Sequence, residues 1–374
     1  MYLLPRGWFC TMDLIRKNTW LQAVSIGLLL GSGFIVPWLW PLGIFGVIGF
    51  VALVEKTEST KSLAWWGWLA FTIKSLCALV WFWSVYPIDW LAIDLGHVQL
   101  VLIFLYWVTA SMWLGSAGVF AAWSIKAAVR IFGSGWMVLV LVPLVWVVSE
   151  VVGSLVFSII TWGEGAVITS AFSFGFIGLL LAGHEWFVFT AYIAGLYGLG
   201  YGFVLLSLLF QRIWEAESTR KNWSKGAVVA FVLLGFVPFP DIQRDQSSGH
   251  TVMIIDTEFP PNQIRTPDGA ARIKSELDTA VAVALEAEPD YLLLPEDARF
   301  FDQSVPSSIA RFRFDIQTEG SETIIVDSGR VLEGSDTALR SFVYNGAVGT
   351  VDSSHKRYLV PQGEFMPYLY TQSL

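Results

Sequence analysis

The feature that most constrains how this chain can fold is the length of its apolar segments. Throughout the first 240 residues, runs of about 20 residues carry almost no charge, and a helix of that length spans the roughly 30 Å hydrocarbon core of a bilayer. Over the whole chain, 55% of residues are hydrophobic and 14% are charged, whereas soluble domains carry roughly 25% charged residues. This composition excludes a disordered chain and an ordinary soluble enzyme. We predict about seven transmembrane helices, at about 20–36, 38–54, 62–84, 98–121, 135–153, 186–211 and 226–239.

Segment 155–183 is also apolar but is interrupted by four glycines: Gly163, Gly165, Gly175 and Gly178. Glycine disfavours a continuous helix. We therefore predict a loop or a re-entrant piece at the membrane face rather than an eighth transmembrane helix.

The basic residues predict the orientation. Connections 85–97 and 154–185 contain no Lys or Arg. The N-terminus and the alternate connections are basic, and by the positive-inside bias they face the cytoplasm. Seven helices then place the C-terminal domain outside the cytoplasm, in a multi-pass protein of the inner (cytoplasmic) membrane. The basic residues concerned are Arg6, Arg16, Lys17, Lys56, Lys61, Lys126, Arg130, Arg212, Arg220, Lys221 and Lys225.

The charge balance changes near residue 240. Residues 1–240 have a net charge of +2, and residues 241–374 have a net charge of −10. We predict a helical transmembrane domain over 1–240 and an acidic extracytoplasmic domain over 241–374. An acidic domain does not attract nucleic acid, so no nucleic-acid partner is expected.

The C-terminal domain has an α/β pattern. Apolar, β-branched runs predict strands at 251–255, 291–294, 323–326 and 341–350, and helical spacing predicts a helix at 268–287. Loops at strand ends are where such folds place their chemistry.

Three residues of this domain are candidates for catalysis. Glu296 directly follows the strand 291–294 and Pro295, where burial would suit it as a general base. Lys356 could stabilise an oxyanion, and Glu364 could hold that lysine in place. The alternatives are a solvated Glu296 that opens a turn and a basic surface turn around Lys356. Ser353 and Ser354, beside Lys356, are interpreted as turn residues.

These motifs together resemble the carbon–nitrogen hydrolase (nitrilase) superfamily, and in particular its membrane-embedded branch, the apolipoprotein N-acyltransferases. The resemblance is carried by Pro295-Glu296 after an apolar strand, and by Lys356 followed by Leu359-Val360-Pro361 and Gly363-Glu364-Phe365. Further similar segments are 251–261, Tyr344-Asn345-Gly346-Ala347, the helix with Pro143, Trp146 and Glu150, and Gly195 with Tyr197 and Gly198.

The resemblance implies an α-β-β-α sandwich and a function. An enzyme of this family takes an acyl chain from a phospholipid onto a cysteine and passes it from the thioester to the amino group of a diacylglyceryl-cysteine lipoprotein. Glu296 then matches the general base, Lys356 the oxyanion-stabilising lysine and Glu364 the supporting carboxylate. The implied partners are a phospholipid donor, a lipoprotein acceptor and the membrane, and no metal or cofactor is implied.

The cysteines depart from the family pattern. Cys10 and Cys77 both lie in the apolar half, and residues 241–374 contain no cysteine. In the family, the nucleophilic cysteine lies further beyond the lysine that Lys356 matches than the eighteen residues that follow Lys356 in this sequence. The expectation is therefore a C-terminally incomplete hydrolase-like domain, either a fragment or an inactive relative. The alternative function is a non-catalytic membrane scaffold that binds lipid or a protein partner.

Two isolated charges lie in the apolar half. Lys74 is interpreted as structural, either facing the helix bundle or reaching along it to an interface. Glu150 is predicted near the outer end of its helix, with an interfacial or headgroup role. The tryptophans of 65–68 and 81–83 are interpreted as an interfacial belt, with a lipid-binding groove as the alternative. A transporter is disfavoured because no paired charges and few broken helices are predicted within the membrane.

Overall fold

The computed structural model describes residues 18–88, 95–133, 136–215, 249–256, 267–295, 322–333, 336–345, 350–356 and 367–368. The chain forms two compact units. The helical unit comprises residues 1–87, 95–241 and 360–374, and the α/β unit comprises residues 88–94 and 242–359.

Seven α-helices form the described part of the helical unit. Their bounds are α1 Thr19–Ile35, α2 Leu42–Lys56, α3 Thr60–Ala78, α4 Gly96–Leu114, α5 Ser116–Phe132, α6 Trp136–Ile160 and α7 Glu185–Glu215. Short 3-10 helices lie at Pro37–Leu39, Val80–Val85 and Ile177–Leu181. Helix α7 is broken at Gly195, whose φ of 63° lies in the region that favours glycine.

Among the described residues, three helical stretches are long and apolar enough to cross a membrane: Gly96–Phe132, Trp136–Ile160 and Ala194–Trp214. The first joins α4 and α5 and has 37 residues. At a rise of about 1.5 Å per residue it is about 55 Å long, which exceeds the hydrocarbon core. Helix α1 is a shorter apolar helix. The structure thus has the helices of a membrane protein.

Helices lie at each of the first six predicted transmembrane segments. The seventh, 226–239, lies outside the described residues. The segment 155–183, predicted as a loop or a re-entrant piece, is helical up to Ile160, where α6 ends. The remainder of the segment contains one short 3-10 helix, Ile177–Leu181, and no continuous transmembrane helix, as the glycine-interrupted pattern predicts. The predicted segment 98–121 ends too early, because α5 continues the helical stretch to Phe132.

Close helix packing depends on small residues. Helix α3 packs against α5 where Gly67 faces Gly118: a Cβ on Gly67 would lie 2.4 Å from the Gly118 carbonyl oxygen. Small residues allow this close approach of two backbones. Large side chains fill the bundle elsewhere, and its fully buried aromatic residues include Trp40, Phe50, Phe71, Trp146 and Phe203.

The α/β unit contains a five-stranded mixed sheet in the order β1-β2-β3-β4-β5. The strands are β1 Val252–Ile254, β2 Tyr291–Leu293, β3 Ile324–Glu333, β4 Asp336–Asn345 and β5 Thr350–His355. Strands β1, β2 and β3 are parallel, and β4 is antiparallel to both β3 and β5. Helix α8, Pro267–Glu286, connects β1 to β2.

The core of this unit lies between α8 and the sheet. Leu277, Val281 and Ala284 recur at helical spacing and are buried, and the sheet contributes Leu292, Ile325, Phe342 and Tyr344 to the same cluster. The sequence prediction was close for β1, α8 and β2. It was wrong at Ser353 and Ser354, which lie within strand β5 and not in a turn.

Candidate functional site

Lys356 directly follows β5 and is half-buried. Glu296 and Glu364, the two predicted carboxylates, lie outside the described residues. Pro295, the chain neighbour of Glu296, is described two residues after the end of β2. The structure therefore positions the lysine of the predicted site and the strand end that leads to its general base.

The register of the sheet relates these two strand ends. Leu293 of β2 pairs with Val326, Val326 pairs with Val343, and Val343 pairs with Asp352 of β5. Strand β5 runs in the same direction as β2, because two antiparallel pairings separate it from β3. Both chains therefore leave the sheet at the same edge. Lys356 lies four residues beyond Asp352 in sequence, and Glu296 lies three residues beyond Leu293.

The chain after Glu364 is described at Pro367 and Tyr368, within the helical unit. Pro367 forms an antiparallel bridge with Gly163, and the Tyr368 N–H donates to the Trp162 carbonyl at 2.9 Å. The two aromatic rings of Trp162 and Tyr368 meet edge to face, with centroids 5.5 Å apart. This contact fixes the chain three residues after Glu364 against the segment that follows α6.

A second centre, which the sequence did not predict, lies inside the helical unit. The Lys74 ammonium of α3 forms an ion pair with the Glu150 carboxylate of α6, and both side chains are buried. Glu150 also accepts the Trp146 indole N–H at 3.3 Å and the Ile177 backbone N–H at 3.0 Å. The Lys74 ammonium lies 4.8 Å from the centre of the Phe71 ring.

This centre corrects two interpretations. The interfacial or headgroup role predicted for Glu150 is wrong, because its carboxylate is enclosed by helices. The statement that the membrane helices contain no paired charges is also wrong, so that argument against a transporter fails. The enclosure of the pair by aromatic rings and a backbone N–H instead favours a fixed structural role, as predicted for a bundle-facing Lys74.

The pairing had a signal in the sequence. Lys74 lies 14 residues beyond Thr60, and Glu150 lies 14 residues beyond Trp136, where their helices begin. The predicted topology has both helices running outward, so the two charges are at a similar depth. Opposite charges at one depth of an apolar bundle are expected to pair.

In the part of the chain that the structure describes, metal-binding side chains are scattered and one cysteine is present. No group of three or more His, Cys, Asp or Glu side chains there is placed to hold a metal ion. Cys77 is buried as a free thiol, and Cys10 lies outside the described residues.

Comparison of the sequence with models of protein families and with curated proteins gives no match.

Proposed function

We propose that this protein is a multi-pass membrane protein of the apolipoprotein N-acyltransferase type, with about seven transmembrane helices and an extracytoplasmic hydrolase-like domain of the nitrilase type. The proposed reaction transfers an acyl chain from a phospholipid to the amino group of a diacylglyceryl-cysteine lipoprotein. The observation that carries the proposal is the shared sheet edge at which the chains leading to Glu296 and Lys356 emerge.

The separation of the two strands suits the proposed chemistry. Strands β2 and β5 are three strand spacings apart, about 14 Å between backbones. A glutamate and a lysine side chain that extend towards each other would together bridge this separation and bring the Glu296 carboxylate close to the Lys356 ammonium. Glu296 would then take the proton of the attacking cysteine thiol and return it to the oxygen of the departing lysophospholipid as the ester bond breaks, and the Lys356 ammonium would stabilise the oxyanion of the tetrahedral intermediate. Glu364 would hold Lys356 in place.

A non-catalytic membrane scaffold is the second candidate function. It is favoured by one observation: residues 241–374 contain no cysteine. The thiol of the proposed mechanism is therefore not among them. A scaffold of this kind would bind lipid or a lipoprotein without acyl transfer.

An acyl-transfer assay on a purified chimera separates the two candidate functions. Residues 1–374 are joined to the cysteine-bearing remainder of a hydrolase domain from an active family member. The purified protein then receives acyl-labelled phospholipid and a diacylglyceryl lipopeptide. We expect labelled lipopeptide, and a rate at least ~100-fold lower for Glu296→Gln and Lys356→Ala. Lys274→Ala, on the exposed face of α8, is the control and should retain the rate.

Two results would contradict the proposed enzymatic function. Equal transfer by the Lys356→Ala protein would remove the lysine from the mechanism. A folded chimera that binds the lipopeptide but transfers no label would favour the scaffold.

A further inference from the structure

A groove lies on the surface of the helical unit, at the end of α3 and α5 that the basic residues predict to face the cytoplasm. Its volume is about 420 Å³. It is far along the chain from the Glu296–Lys356 strand ends, and the inference drawn from it does not depend on the proposed acyl transfer. The groove is lined by Thr60, Lys61, Trp65, Trp68, Val119 and Trp123, among others.

The aromatic walls of the groove are held in place by the protein itself. The Trp65 and Trp68 rings stack with centroids 4.9 Å apart and an interplanar angle of 29°. The Trp68 indole N–H donates to the Met112 carbonyl at 2.9 Å, and the Trp123 N–H donates to the Thr60 carbonyl at 3.4 Å. Tryptophans of an ordinary interfacial belt point their N–H groups to water and headgroups. Here two indole N–H groups are bonded to backbone, and the ring faces are left to line the groove.

The only charged side chain among the described residues that line the groove is Lys61. Lys126 lies at the same end of the bundle but does not line the groove. Its ammonium donates to the Val54 and Glu55 carbonyls, near the end of α2, at 3.1 and 2.8 Å. Arg130 lies one turn further along α5 and is exposed. The groove therefore combines apolar aromatic walls with one ammonium, that of Lys61. Lys56, Lys126 and Arg130 add positive charge at this end of the bundle and outnumber the acidic Glu55 and Glu58.

We propose that this groove binds one phospholipid with an anionic headgroup. The lipid phosphate lies beside the Lys61 ammonium, and an acyl chain runs along Trp65, Trp68 and Trp123. Two features select this occupant. An acyl chain matches the aromatic and aliphatic walls, and the cytoplasmic leaflet, where this end of the bundle is predicted to lie, is the one that carries anionic lipids.

The test counts lipids on the full chain. Protein purified in a neutral detergent is titrated with phosphatidylglycerol or with phosphatidylcholine of the same acyl chains, and bound lipid is counted by native mass spectrometry. We expect one retained phosphatidylglycerol at concentrations where phosphatidylcholine is lost. Lys61→Gln should weaken phosphatidylglycerol binding about five-fold, in keeping with the contribution of one basic residue near an anionic surface. Trp65→Ala should weaken the binding of both lipids.

Two matched controls decide whether the groove is responsible. Arg130→Gln removes one positive charge from the same end outside the groove, and Trp20→Ala removes an exposed tryptophan from α1; both should bind lipid as the wild type does. Equal losses from Arg130→Gln and Lys61→Gln would mean diffuse attraction and would overturn the proposal. So would equal losses from Trp20→Ala and Trp65→Ala, or a dimer that dissociates on Trp65→Ala, since a second copy would then occupy the groove. Thermal unfolding without lipid confirms that each variant is folded.

Discussion

At the scale of single residues, Glu150 connects more of the helical unit than any other side chain described above. Its carboxylate joins α3 through Lys74, its own helix through Trp146, and the segment after α6 through the Ile177 N–H. A buried charge that loses its partner is costly, whereas removal of both charges costs much less. The pair is therefore expected to act as a unit.

A double-mutant cycle tests this coupling. Glu150→Gln leaves the Lys74 ammonium buried without its counter-charge and should lower the free energy of unfolding by about 3–5 kcal/mol. Lys74→Met should cost a similar amount, and the double variant should cost clearly less than the two together. The measurement is thermal or denaturant unfolding in detergent. Ser149→Ala is the control, because the hydrogen bond that the structure shows for its hydroxyl lies within α6, to the Val145 carbonyl at 2.5 Å. Additive single costs would show that the two charges do not interact.

Asp290 ties the start of β2 to the start of β1. Its carboxylate accepts the Thr251 backbone N–H at 2.6 Å and the Thr251 hydroxyl at 2.8 Å. These hydrogen bonds, with a smaller contribution from His250, lower the pKa of Asp290 below its usual value. Because the pKa is lower in the folded state, the stabilisation is present above the unfolded pKa of about 3.9. It is lost as the pH falls through the folded value.

The lowered pKa of Asp290 predicts how the effect of Asp290→Asn on stability changes with pH. At pH 7 the variant should show faster hydrogen exchange at the amides of β1 and β2 than the wild type does. The difference between the two proteins should shrink as the pH falls from about 4 towards the lowered pKa of the folded protein, where the wild-type carboxylate gains a proton. A difference that stays constant down to pH 2.5 would contradict the role assigned to this carboxylate.

At the scale of elements, the approach of α3 to α5 depends on two facing glycines. A Cβ at Gly118 would lie 2.0 Å from the Gly67 carbonyl oxygen, so the backbones must separate to admit even one methyl group. Gly118→Ala should therefore lower the unfolding free energy by about 1–3 kcal/mol. Gly202→Ala in α7 is the control, because no atom of the described residues lies within 4 Å of its added Cβ. Alanine there should be neutral or slightly stabilising. Equal effects at both positions would contradict the packing argument.

The elements also show what the sequence could predict. Helices and strands with one buried apolar face, such as α8 and β2, have a clear pattern and were predicted to within about two residues, the usual uncertainty of element ends. The long hairpin β3–β4 was only partly found. Only Ile324, Ile325 and Val326 pair with β2, and the rest of β3 pairs with β4 alone. A two-stranded arm needs no buried apolar alternation, so 327–340 has no pattern that distinguishes it from a loop.

The functional residues, too, could be predicted from the sequence only in part. Lys356 was chosen from a motif, and the structure positions it at the end of a strand, where the motif predicts chemistry. The Lys74–Glu150 pair was missed because each charge was considered within its own helix. Pairing depends on the arrangement of α3 and α6 in three dimensions, which hydropathy along the chain does not contain.

At the scale of the whole molecule, the orientation in the membrane is the first prediction. Eleven Lys and Arg residues lie in the N-terminus and one set of alternate connections, and none lies in the other set; this bias predicts that the α/β unit faces away from the cytoplasm. An alkaline phosphatase fused after Leu374, which is active only outside the cytoplasm, should be active. A green fluorescent protein at the same position should be dark, because it does not become fluorescent when it is exported unfolded across the membrane. The reverse pattern would contradict the topology.

The central claim is that Glu296, Lys356 and Glu364 meet in one site, and zero-length coupling tests it most directly. A carbodiimide joins a carboxylate to an ammonium only where the two are in contact, and mass spectrometry identifies the linked peptides. We predict a bond from Lys356 to Glu296 or Glu364 that is lost in the corresponding Gln variant. Activation of the exposed Asp278 carboxylate on α8, trapped with a small added amine, is the control for the reagent. Labelling of Asp278, with Lys356 joined to neither glutamate, would contradict the account.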